Sequence, residues 1–417
     1  MLGMADLAIL GHLESEVYIG AIAMGGLIFN FIYALFSFLR MGTSGFTAQA
    51  YGEDNRQEQM MMMARAMLFA IGGGLVMILL QTPISLLSFY LLDGSNQVEA
   101  LAEEYYRIRI FAAPASLGIL ALSGWFTGMQ NARSPMIIAL VINIINIAAN
   151  IGFVYGLGMK SDGVAWGTLI AQYSGLILGI WIWFRKYRGL ASFYRKEGLL
   201  DWNRLKLFFK VNSDIIIRTL CLIFTFAYFT SESAKMGDTI LAVNTVLLQY
   251  LFVFSYLTDG FAYAAEALVG RYTGAKDKAN LKEAVRKLFI WGAGISLPFT
   301  MIYLFSGSFL LRLITNQAPV IEAASLYLLW IGLVPVVSFA AFIWDGVFIG
   351  ATASAPMRNT LLISTLLIFL PGWFLLQGTL GNHGLWIAML LFMFSRGFLL
   401  SLYAPKHIFS LSTARQK

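Results

Sequence analysis

Charge is what this sequence has least of. Asp, Glu, Lys and Arg together make up 12 % of its 417 residues, against 59 % apolar residues and a mean hydropathy of +0.72. A soluble domain carries about 25 % charged residues. This chain therefore cannot clothe a globular surface with polar groups, and lipid must do the covering. Cysteine is nearly absent as well. The single Cys221 rules out an intrachain disulfide and reads as a small apolar core residue. Only three histidines occur, His12, His383 and His407, at no metal-ligand spacing, so none is given a site. No Gly-x-x-x-x-Gly-Lys-Ser/Thr loop is present to cradle a nucleotide phosphate. Nor is there a serine nucleophile elbow, a zinc motif, or a soluble stretch long enough to hold ATP. The expectation is a protein that is no enzyme, needs no cofactor, and draws any energy from an ion gradient. Its net charge of +7 lies in connections between apolar runs and does not signal nucleic acid.

Long apolar runs are there in abundance. A helix crosses the hydrocarbon core with about 20 apolar residues. Eleven complete spans are predicted near 16–40, 62–92, 104–128, 135–157, 163–184, 208–231, 239–268, 287–314, 322–349, 358–378 and 384–404. The opening Met1–Gly11 is too short to cross and lacks the basic flank and cleavage site of a signal peptide. Lys and Arg fall mostly in alternate connections, above all in Arg185–Lys210 and Arg271–Lys287. Arg107, Arg109, Lys160, Lys235 and Arg312 are read in the opposite ones. The positive-inside rule then puts the C-terminus in the cytoplasm of a multi-pass bacterial inner-membrane protein. Met60-Met61-Met62-Met63, at a span entry, reads as lipid-facing filler.

The two halves repeat. Gly52 matches Gly274, Gly124 matches Gly346 and Gly128 matches Gly350, each 222 positions on, while Pro135-Met136 and Gly163 match Pro356-Met357 and Gly384 at 221. The predicted fold is an all-α integral membrane protein of two six-helix lobes in parallel orientation. The N-lobe is 1–190, the cytoplasmic linker 191–207, and the C-lobe with a short tail 208–417. Parallel repeats suit alternating access. Projected back by 222, the seventh span would start about 14 residues before Met1, so a truncated first helix and an internal starting methionine are expected.

Ionisable and amide groups at membrane depth are functional candidates by default. Asp6 stands among small apolar neighbours in the first span. Asn143, Asn146 and Asn150 share one face of span five, and Thr168 and Gln172 share one face of span six. Either set can line a polar path or simply hold the lobe together by hydrogen bonds. Asp259 and Glu266 lie on one face of span eight and Asp345 on span ten. These acids could take protons or a cation. Alternatively Asp259 or Asp345 could pair with Arg218, and Glu266 with Arg271. Arg40 is deep too, as a gate or a structural partner. With Asn143, Gln172, Arg218 and Tyr256 it is read along a substrate path.

Several stretches resemble the MATE (multidrug and toxic compound extrusion) transporters, in their DinF-like branch. They are Met4-Ala-Asp-Leu-Ala-Ile-Leu-Gly-His12, Phe38-Leu-Arg-Met-Gly-Thr-Ser-Gly-Phe-Thr-Ala-Gln-Ala-Tyr-Gly52, Gly124-Trp-Phe-Thr-Gly-Met-Gln-Asn131, Ser255-Tyr-Leu-Thr-Asp-Gly-Phe-Ala-Tyr-Ala-Ala-Glu-Ala-Leu-Val-Gly270 and Trp344-Asp-Gly-Val-Phe-Ile-Gly350. The resemblance implies twelve helices and export of organic cations or toxic amphiphiles in exchange for H⁺ or Na⁺, by a monomer. It implies Asp6, within Asp-x-Ala-x-x-Gly-His, as the proton-responsive group, with Asn146 and Thr168 as companions. The branch often carries an acid at the position of Asn150, and an amide cannot exchange protons. A lipid-linked saccharide flippase and a non-transporting scaffold are the alternatives. The mixed buried charge speaks against the first, and the buried acids are unexplained by the second.

Overall fold

A computed structural model describes residues 16–92 and 94–410. Asp6, His12 and the whole first-span reading lie outside them. Among the described residues every regular element is helical. In chain order these are α1 (Glu16–Leu35), α2 (Phe38–Gly52), α3 (Arg56–Leu79), α4 (Gln81–Leu91), α5 (Asn96–Arg109), α6 (Ala113–Gly128), α7 (Arg133–Ile151), α8 (Ser161–Tyr187) and α9 (Lys196–Leu199). There follow α10 (Trp202–Lys235), α11 (Asp238–Gly274), α12 (Lys278–Ile314), α13 (Ala318–Ser325), α14 (Leu328–Gly350), α15 (Ser354–Ile363), α16 (Leu370–Leu380) and α17 (Asn382–His407).

Ten of the resulting continuous helices are long and apolar enough to cross a membrane. α10, with 34 residues, is also long enough; Asp214, Arg218 and Glu232 lower its hydropathy. The polarity is that of a lipid-embedded protein. Phe305 is 83 % exposed and Leu79 80 %, while asparagines and arginines are buried. Helices satisfy their own backbone groups, which is why no other element is needed at membrane depth. Several spans differ from their sequence reading. The first continues through Gly52, the second ends at Leu79 before a separate α4, and the third starts earlier, running continuously over Asn96–Gly128, so Arg107 and Arg109 belong to helix, not to a connection. Glu99, Glu103 and Glu104 in its first turns hide the helix from a hydropathy scan.

The chain forms two compact units, Met1–Thr47 with Asn55–Arg204, and Ala48–Asp54 with Leu205–Lys417. Each has its own apolar core. Phe29, Tyr105, Tyr106 and Leu117 are central to the first, and Phe229, Phe254, Trp386 and Phe392 to the second. In the first unit the basic connection after α8 is folded onto α3. Buried Arg65 donates to the Gly198 carbonyl (2.7 Å) and to Glu58 (2.8 Å). Met61 lies against Gly198 and Met62 against Arg65. Met61, Met62 and Met63 are buried, so lipid-facing filler is the wrong reading; a folded connection, which hydropathy cannot reveal, lies over Met61.

The repeat reappears in backbone detail. The non-glycine residues with positive φ among the described ones are Asp54, Gln130, Lys276 and Thr352, two pairs separated by 222. Asn55 caps α3 by accepting from the Glu58 N–H, and Asp277, 222 positions on, caps α12 by accepting from the Asn280 N–H. The Asn280 side-chain and backbone donors hold the exposed Asp277 carboxyl below the usual carboxylate range. That contribution is present at neutral pH and is lost as pH falls through the lowered value. Left-handed geometry costs a β-carbon residue about 1–2 kcal/mol, and glycine adds back about 0.5–1 kcal/mol of entropy. Lys276→Gly should therefore leave the melting temperature unchanged or raise it slightly, and a clear fall on thermal unfolding would contradict this account of the turn.

Candidate functional site

In the first unit the polar site is built by α7 and α8, which pack along their whole length. Asn146 on α7 donates from Nδ2 to Thr168 Oγ1 on α8 at 3.1 Å, with both residues fully buried. Asn146 Oδ1 has no hydrogen-bond partner among the described residues. A buried amide oxygen left open is costly unless something donates to it. One turn on, Asn150 is also fully buried, and α8 admits it only through a glycine. A Cβ on Gly167 would stand 2.0 Å from Asn150 Oδ1. Gly167→Ala should displace the Asn150 amide, lower the melting temperature and impair transport together; an alanine variant that behaves like the unaltered chain would remove Asn150 from the site.

The remaining amides are placed differently. Asn143 is half-buried and donates to the Ala139 carbonyl of its own helix at 2.7 Å, a local bond that any helical Asn can make. Gln172 is half-buried one turn beyond Thr168. Immediately after Asn150, α7 passes into a π-turn over Gly152–Gly156, a device common at functional sites.

Arg109, read at first as a connection residue, lies within this unit. Its guanidinium stands 4.8 Å over the Phe29 ring and 5.4 Å from that of Tyr105, and it donates to the Tyr105 hydroxyl. Arg40 is half-buried on α2, and its carbonyl is in close approach to Gly124 on α6.

In the second unit three helices converge on one carboxylate. Asp345 Oδ2 on α14 accepts from Arg218 on α10 and from Arg396 on α17, the latter at 2.8 Å. All three are buried. The Arg218 partner is one the sequence suggested; Arg396, 51 positions away, is one it did not. Next to the triad in sequence lies a hydroxyl seam. Ser395 donates to Ser364 at 2.8 Å, and Thr225 and Thr365 stand 3.1 Å apart. Ser364 and Thr365, both buried, open a π-turn over Ser364–Phe369.

Glu266 is buried and Asp259 half-buried on α11, while Tyr256 is 74 % exposed there. A further acid, Asp214 on α10, was not singled out by sequence reasoning. It is buried, accepts from Ser354 at 2.7 Å and pairs with Arg358 at 2.5 Å. The available signal was its spacing from Arg218, an acid and a base four apart inside one apolar span. The two charges face different partners, on α15 and α14.

Among the described residues no cluster of His, Cys, Asp and Glu could hold a metal ion. Residues 1–151 and 215–374 match the MatE family. The chain is 37 % identical to the DNA damage-inducible protein F of Escherichia coli (strain K12), over 98 % of this chain and 88 % of that protein. It is 24 % identical to a probable multidrug resistance protein NorM of Thermotoga maritima, over 94 % and 85 %. In fold it resembles the crystal structure of a MATE protein in the bent conformation (TM-score 0.89, 18 % identity, 98 % and 91 % covered). It also resembles the Vibrio cholerae MATE transporter VcmN in its bent form (0.88, 18 %, 98 % and 93 %).

Proposed function

This chain belongs to the MatE family of membrane transporters, and on that premise we propose that it is an ion-coupled antiporter exporting organic cations or toxic amphiphiles by alternating access. The observation that supports the reading best is Asn146. A fully buried amide, fixed by Thr168 and with its oxygen open, is what a proton- or cation-dependent site in a lipid-embedded bundle requires. Asp6, by the family resemblance, supplies the group that titrates, and Asn146, Thr168 and Asn150 solvate it. Because Asn150 is an amide, proton exchange in this unit rests on Asp6 alone. In the second unit Asp345 already has two guanidinium partners, which leaves Asp259 and Glu266 as its coupling candidates. The distribution of Lys and Arg supports an inner-membrane orientation with the C-terminus in the cytoplasm.

The test is transport of a fluorescent organic cation in proteoliposomes under an imposed pH or Na⁺ gradient. Flux should follow one of the gradients and fall at least about tenfold in Asp6→Asn, equivalent to about 1.4 kcal/mol on the transport barrier. Flux driven by neither gradient would overturn the antiport reading. Normal flux in Asp6→Asn would overturn only the assignment of Asp6.

A further inference from the structure

Within one buried cluster of the second unit the charges do not balance. Arg218 and Arg396 share one oxygen of Asp345. A guanidinium keeps its proton at every accessible pH. Two cations against one carboxylate therefore leave one positive charge uncompensated within the triad. An excess charge at membrane depth is expensive unless something answers it. The donors that could receive an answer are present: Nε of Arg218 and Nε of Arg396 are both buried and without a hydrogen-bond partner among the described residues. The guanidinium of Arg396 stands 5.5 Å from the Phe392 ring and 5.8 Å from that of Phe342. Cation–π contacts of this kind cover the guanidinium without cancelling its charge.

We propose that the Arg218–Asp345–Arg396 triad is a binding site for a monoanion, seated on the unpartnered Nε–H donors of the two arginines. One negative charge makes the cluster neutral. A cation would raise its charge to two, and a dianion would reverse its sign. Two sources share this chemistry, chloride from the medium and the carboxylate of a transported amphiphile. The site is independent of cation export, because it predicts direct binding whether or not a cation moves.

The experiment is thermal unfolding of the detergent-purified full chain in sodium sulfate, whose dianion would reverse the cluster's sign, with chloride, acetate or octanoate substituted at constant ionic strength. We expect a saturable rise in melting temperature that is lost, or shifted at least about tenfold in half-saturating concentration, in Arg396→Gln. Saturation by chloride at a lower concentration than by octanoate assigns the site to the inorganic ion, and the reverse order to a carboxylate amphiphile. No saturable rise with any of these anions, or the same rise in Arg396→Gln, overturns the proposal. If Arg396→Gln does not fold, crystals of the unaltered chain grown in bromide and, separately, in 2-bromooctanoate decide. An anomalous peak beside both arginines in either supports the site, and its absence from both overturns it.

Discussion

Asp345→Ala should cost the protein about 3–5 kcal/mol, enough to abolish purification of a folded chain, because it strips the shared counter-charge from two buried guanidinia. The loss is far larger than the net worth of the ion pairs. In the native protein desolvating three ionised groups offsets most of their attraction, so the triad as a whole contributes little stability. Breaking it strands Arg218 and Arg396 in a low-dielectric interior with no proton to give up. The same argument predicts a rescue. Replacing all three residues with apolar ones, Arg218→Met, Asp345→Leu and Arg396→Met, should restore the melting temperature to within a few degrees of the unaltered chain. A triple variant as unstable as Asp345→Ala would mean that the damage comes from packing and not from stranded charge. A rescued triple variant should also have lost every anion-dependent rise in melting temperature, which separates the triad's role in folding from its role as a site.

The parts of this structure that were legible in the sequence are those written in local chemistry. Membrane residence follows from composition. The repeat is visible because a close helix crossing demands glycine and a helix-terminating turn demands a cap, so Gly124 and Gly346, or Asn55 and Asp277, recur at a fixed offset. The Asn146–Thr168 bond was within reach because amides at helical spacing must face a neighbour, and the next span offers a hydroxyl. What stayed hidden depends on tertiary partners. Nothing local to Arg396 says that it meets Asp345 from another helix. The burial of Met61 depends on a polar connection folding back over it. Arg109 was misplaced for another reason: acidic first turns made the start of α5 look like a connection, although the helix carries Arg109 to the Phe29 ring.

Gly346→Ala is expected to be nearly as damaging as the loss of Asp345, from one methyl group. A Cβ built there would lie 2.3 Å from the Ala262 carbonyl oxygen and within 2.8 Å of two more backbone atoms of α11. Backbone cannot rotate aside as a side chain can, so α14 and α11 must separate. Both helices are held elsewhere along their contact, and the next turn repeats the approach, with Gly350 against the Glu266 carbonyl at 2.7 Å. The small-x-x-x-small spacing is what allows two membrane helices to touch along their backbones. Overpacking of this kind costs about 1–3 kcal/mol, more when backbone must move. Moving α14 also moves Asp345, its immediate neighbour, away from Arg218 and Arg396, so the two costs compound. The repeat supplies an internal comparison. A Cβ built on Gly124 would lie 2.2 Å from the Arg40 carbonyl oxygen, away from the triad of the other unit. Gly124→Ala should therefore lower the melting temperature by the packing cost alone, and Gly346→Ala by more. Gly26 and Gly260, where a Cβ meets nothing within 4 Å, should accept alanine with no loss. Equal melting temperatures for Gly346→Ala and Gly260→Ala would show that α11 and α14 do not approach each other in the way described.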